Sequence, residues 1–180
     1  MLAAMFTCIR ADTTVKVTDV SAAATEVDDI VVGDADGQTV SRHEVTIDSP
    51  NVHARVVVSA NGGATTVHEH SAVVVDDVML VAVCGHVVAL QLSDLRVRWT
   101  CRVDAATCFG LHAVRRHDEL VLISHGELEI ARFTLDGRVV WSAGGPDIFT
   151  GDFGIVDDTI AAVDFNGNVI TLSLLTGTNR

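Results

Sequence analysis

Gly85, Gly126 and Gly167 stand 41 residues apart, and the same plan recurs around each of them. An acidic pair precedes a β-branched run, the glycine marks a turn, and a second run and a second turn follow. Trp99 and Trp141, 42 residues apart, close the first two copies. The copies read AVVVDDVMLVAVCGHVVALQLSDLRVRW from Ala72, HAVRRHDELVLISHGELEIARFTLDGRVVW from His112, and GDFGIVDDTIAAVDFNGNVITLSLLTGT from Gly151. A small sheet cannot bury both of its faces alone, so a period of this length with several strands per unit implies sheets that stack on one another. A fainter copy starts at Val27 with Gly37 at its turn, 48 residues before Gly85, so the first unit is longer than the others.

The side chains agree with strands. Valine-rich runs such as Val56-Val57-Val58 and Val73-Val74-Val75 lie between turn residues, and β-branched side chains fit a pleated surface better than a helix. The expected fold is all-β, a propeller-like stack of antiparallel sheets with 41-residue repeats. The 180 residues are expected to form a single domain, with residues 1–70 an irregular N-terminal β portion and residues 71–180 three propeller-like repeats. Twelve basic against 24 acidic residues give a net charge of -12, which disfavours nucleic acid and anionic membrane surfaces as partners. No apolar run approaches the roughly 20 residues of a membrane-spanning helix. Aromatic residues make up 4% of the chain and tyrosine is absent, so stacking platforms for sugars or single-stranded bases are hard to build.

The repeats also resemble a known family. Gly85, Val87, Ala89, Leu90 and Trp99, then Gly126, Ala131, Gly137 and Trp141, then Gly167, Val169, Leu172, Thr176 and Gly177 follow a pattern similar to the blade repeat of quinoprotein-type (PQQ-like) β-propellers. The resemblance covers about residues 72–180 and implies a propeller fold. Quinone-dependent members carry an adjacent cysteine pair, which this sequence does not contain, so the resemblance implies no cofactor here. Four units can close as a very small propeller, remain an open stack, or complete a ring with a second chain; an open stack leaves faces that a homo-oligomer would cover.

Two groups of residues are candidate sites. Asn61-Gly62 is a hairpin signal, and strands over residues 52–59 and 64–70 would set His70 opposite His53, with His68 on the same face. His53, His68 and His70 could then hold a divalent transition metal, or form a solvated polar face beside Arg55. The second group is the set of acidic pairs. Asp76, Asp77, Asp118, Glu119, Asp157 and Asp158 recur at one repeat position, joined by Asp28-Asp29 in the fainter copy, and stacking would gather them at one end facing a basic partner. Aspartate is equally a turn residue that needs no ligand. The segments around Asp34 and Asp164 look like calcium loops, but the twelfth position from Asp164 is Leu175 and not Glu.

No catalytic residue and no cofactor-binding residue is assigned. Neither a nucleophile elbow, nor a phosphate loop, nor a dinucleotide fingerprint is present, and a thiol and base pair from Cys108 and His112 lacks a third orienting group. The four cysteines match no zinc or redox spacing and are expected to be reduced, and the first residues have no basic run ahead of an apolar stretch. The expectation is a cytoplasmic, non-enzymatic binding module for a protein partner, with a metal-binding protein or metal-dependent enzyme as the alternative.

Overall fold

A computed structural model describes residues 5–10, 12–20, 28–33, 37–116 and 118–180, and among these there is no helix. Val27 and residues 34–36, part of the faint first copy and of one calcium-loop comparison, lie outside the described residues. The first sheet holds β1 (Met5–Arg10), β2 (Thr13–Asp19), β3 (Asp29–Val32), β4 (Ser41–Asp48) and β5 (His53–Ala60), in the order β1-β2-β4-β5-β3 with β3 parallel to β5. The repeats then build three antiparallel sheets. The first is β6 (Ala72–Val75), β7 (Val78–Val83), β8 (His86–Gln91) and β9 (Val97–Arg102). The second is β10 (Cys108–Arg116), β11 (Glu119–Gly126), β12 (Glu129–Phe133) and β13 (Val139–Gly144), and the third is β14 (Phe149–Val156), β15 (Thr159–Asp164) and β16 (Val169–Ser173).

Alternation explains how each sheet covers the next. In β7 every residue is buried: Met79, Val81 and Val83 pack with Val17, Val45 and Val58 of the first sheet, while Val78, Leu80 and Ala82 pack with Leu111, Leu122 and Phe133 of the sheet on the other side. An uninterrupted apolar strand is what two covered faces require. Ile123 and Ile130 meet Ile160, Ala162 and Leu172 in a third cluster. The stack therefore runs first sheet, β6–β9, β10–β13, β14–β16.

The tryptophans lock successive sheets. Trp99 Nε1 donates to the Leu135 carbonyl at 2.9 Å, and Trp141 Nε1 to the Leu175 carbonyl at 3.1 Å. Beneath each indole lies a glycine with positive φ, Gly137 at 85° and Gly177 at 70°, where a β-carbon would fall 2.6 Å from the ring. Gly126 serves close approach instead: a β-carbon there would stand 2.2 Å from the Asp104 carboxylate. That buried carboxylate accepts backbone N–H bonds from Ala106, Thr107, Leu128 and Glu129 at 2.6 to 3.0 Å, tying the connection after β9 to the β11–β12 turn.

The hairpin expected around Asn61-Gly62 does not form. β5 pairs with β4 along one edge and β3 along the other, so no edge remains for residues 64–70, which cross to the next sheet without strand structure. Asn61 instead packs against Gly33 and Gly37, and the Gly63 N–H bonds the Ala106 carbonyl.

Candidate functional site

Two-residue turns place the acidic pairs. Val75 pairs with Val78 and Val156 with Thr159, leaving Asp76-Asp77 and Asp157-Asp158 as turn residues, while Arg116 pairs with Glu119 around Asp118. Asp76, Asp118 and Asp157 have φ of 51°, 69° and 50°, a region that aspartate tolerates through its short polar side chain. All three turns join the first two strands of their sheets, so they fall at the same end of the stack. Arginines interleave with them. Arg98 lies 3.6 Å from Asp77, Arg116 lies 3.8 Å from Asp158, and Arg132 pairs with Glu119. A hydrogen bond from Gln91, aided by Arg98, holds the Asp77 carboxyl below the usual range. Arg10 and Arg116 each reach to a neighbouring sheet and bond the Asp76 and Asp157 carbonyls. Asp29, in the first sheet, takes Arg42 at 3.1 Å and the Ser59 hydroxyl.

The histidines part company. His53 lies on the outer face of the first sheet with Nδ1 2.7 Å from Asp48 Oδ1, while His68 and His70 stand at the stack's axis with centroids 6.2 Å apart. His68 is fully engaged: Nδ1 accepts from the His70 N–H at 3.2 Å and Nε2 donates to the Phe109 carbonyl at 2.5 Å. With both nitrogens committed to hydrogen bonds, neither directs a free lone pair at a metal. Among the described residues no group of three His, Cys, Asp or Glu side chains is arranged to hold a metal ion.

What the axis does contain is a column of rings. His70 stacks on His112 at 4.7 Å, His112 on Phe153 at 4.5 Å, and Phe153 on His125 at 4.3 Å, the last pair nearly parallel at 15°. Burial, reinforced by the neighbouring histidines, pushes the His112 pKa down to about 3 and that of His125 to about 4. The column borders a groove of about 620 Å³ walled by Phe6, Val73, Leu111 and Ile155, from the innermost strands β1, β6, β10 and β14. His112 and His125 were not among the expected site residues. The repeat held the signal, because His112 and Phe153 are 41 residues apart and occupy equivalent places on innermost strands.

Two arrangements that look catalytic are structural. Cys108 is buried, bonds the Gly110 carbonyl, and has its thiol pushed up to about 12 by burial, so it forms no thiolate with His112. Asp19, His43 and Thr65 form an acid, imidazole and hydroxyl line at 3.0 and 3.1 Å. There His43 is wholly buried, and Thr65 Oγ1 accepts from the Cys84 N–H, so the line anchors the segment crossing between sheets.

No protein-family model and no curated protein matches the chain. Solved structures do match in fold. BamB from Moraxella catarrhalis, a β-propeller, superposes with a TM-score of 0.53 at 13% identity, covering 96% of this chain and 62% of that one. The fold is β-propeller-like. The computationally designed Ika8 protein superposes with a TM-score of 0.55 at 8% identity over 97% of this chain and 60% of its own. This chain thus spans about three-fifths of the length of each, and at such identities the likeness concerns the fold.

Proposed function

We propose that this chain is a non-enzymatic protein-interaction module that presents an acidic end to a basic partner. The observation that carries the proposal is the alignment of the Asp76-Asp77, Asp118-Glu119 and Asp157-Asp158 turns at one end of successive sheets. Carboxylates gathered at one end focus the field of a chain whose net charge is already -12 and speed encounter with a cationic surface. The interleaved arginines give this end a pattern that a partner must match, beyond bulk attraction. The cytoplasm is the proposed compartment, supported by four free thiols.

Two charge-matched triple variants test it against a lysine-rich peptide. Asp76→Asn, Asp118→Asn and Asp157→Asn together keep turns that asparagine tolerates, while Glu127→Gln, Glu129→Gln and Asp147→Asn remove the same charge from the opposite end. Binding should weaken several-fold in the first variant, stay near wild type in the second, and fall with added salt. Equal weakening in both would mean that net charge alone attracts the peptide, and the acidic end would lose its role.

A further inference from the structure

At the acidic end, a cleft of about 350 Å³ opens between the first sheet and the β6–β9 sheet. Its walls are Val15 and Val52 on one side and Val74 and Leu92 on the other, with Cys8 between them. Val52, Val74 and Leu92 are half-buried and extend the cluster around Val17 and Val81, so their open surfaces are the outer limit of a hydrophobic core. Asp76 and Asp77 stand on the rim, and Arg10 spans it by bonding the Asp76 carbonyl at 2.9 Å.

We infer that this cleft receives one apolar side chain from a polypeptide whose flanking residues are lysine or arginine. The apolar walls supply the affinity for an aliphatic or aromatic anchor, which is how a few buried residues dominate protein interfaces. The carboxylates of Asp76 and Asp77 meet the flanking cations, and charge complementarity at the rim selects a basic segment over an acidic one. The cleft volume suits a single side chain and is too small for a folded element. This inference rests on the proposed binding of a basic partner at this end and adds the place and chemistry of its anchor.

Cys8 supplies a built-in reporter. Cys84 and Cys108 are buried; Cys8 and Cys101 are both half-buried, and of these two only Cys8 lines the cleft, so Cys101 serves as the internal control for alkylation. The probe is a short peptide with one leucine flanked by lysines, compared with the same peptide carrying serine in place of leucine. The leucine peptide should slow alkylation of Cys8, measured by mass spectrometry, and bind roughly tenfold more tightly than the serine peptide, as expected for burying one aliphatic side chain. Leu92→Lys should abolish the difference between the peptides, and Ser93→Arg, at an exposed rim position where folding is undisturbed, should do so too. Peptides that bind equally and leave Cys8 alkylation unchanged would overturn the cleft while the acidic end stands. Binding of neither peptide would overturn both.

Discussion

His112 and His125 show what a buried imidazole does at the scale of one residue. Both sit in the ring column as neutral rings, with pKa values of about 3 and 4 in the folded chain against about 6.5 when exposed. A base whose folded pKa is depressed takes up its proton more readily unfolded, so the unfolded state binds more protons between about pH 6.5 and pH 4. Stability should therefore be full above about pH 6.5 and decline as pH falls through that window, with a limiting slope of about 1.4 kcal/mol per pH unit for each histidine. Urea unfolding at pH 7 and pH 5 checks this, and His112→Phe, which keeps a ring between His70 and Phe153, should reduce the pH dependence while His125 and the buried His43, whose pKa burial also lowers, supply the remainder. A variant with an unchanged slope would show that the column does not hold its imidazoles neutral.

The element that sets the spacing between sheets is the indole on glycine. Trp99 and Trp141 lie within the outermost strands β9 and β13, and each rests on a turn of the following sheet. Gly137→Ala adds a methyl group into the Trp99 ring and places a side chain at φ of 85°, so it should destabilise the chain by about 2 to 4 kcal/mol in thermal or urea unfolding. Gly154→Ala, where nothing lies within 4 Å of the added carbon, should cost little by comparison. Similar losses at both positions would deny the indole contact its special role. These blade elements were legible in the sequence because they depend on local chemistry repeated at one interval: aspartate in tight turns, valine in strands, tryptophan at the strand that meets the next sheet. The crossing at Asn61-Gly62 was not legible, because its conformation is decided by Gly33, Gly37 and Ala106, contacts that no window around it contains. The parallel pairing of β3 on β5 was hidden for the same reason, and it removed the edge that would have brought His53 to His70. The acidic turns could be placed from the repeat alone, whereas the ring column needed the innermost strands to be recognised as such.

At the scale of the whole molecule the first and last sheets present outer faces of different chemistry. The outer face of the first sheet carries Lys16, the Glu44 and Arg55 pair, and Arg42 with Asp29, so it is solvated and closes the stack. The outer face of the third repeat sheet presents Val156, Ala161, Val163, Val169 and Gly154, with Val156 71% and Val169 64% exposed, together with Thr159 and Thr171 and the Arg180 guanidinium bonded to the Thr159 hydroxyl. Small and β-branched residues on a flat sheet face are what the three internal interfaces bury, and this fourth face has no sheet against it among the described residues. A head-to-tail neighbour would set the apolar face against Lys16, Arg55 and Glu44, at the cost of desolvating those charges. A second copy meeting it face to face desolvates fewer charges, and the two-fold symmetry stops assembly at a dimer, whereas head-to-tail contact stops only where its rotation closes a ring. Sedimentation at rising concentration should therefore show a dimer and nothing larger. Val169→Lys or Val156→Lys should leave the chain folded and monomeric by placing like charges across the two-fold axis, whereas Thr46→Lys on the opposite face should dimerise as the wild type does. A chain that stays monomeric without substitution, or that is insensitive to Val169→Lys, would show that this face is covered by something other than its own copy.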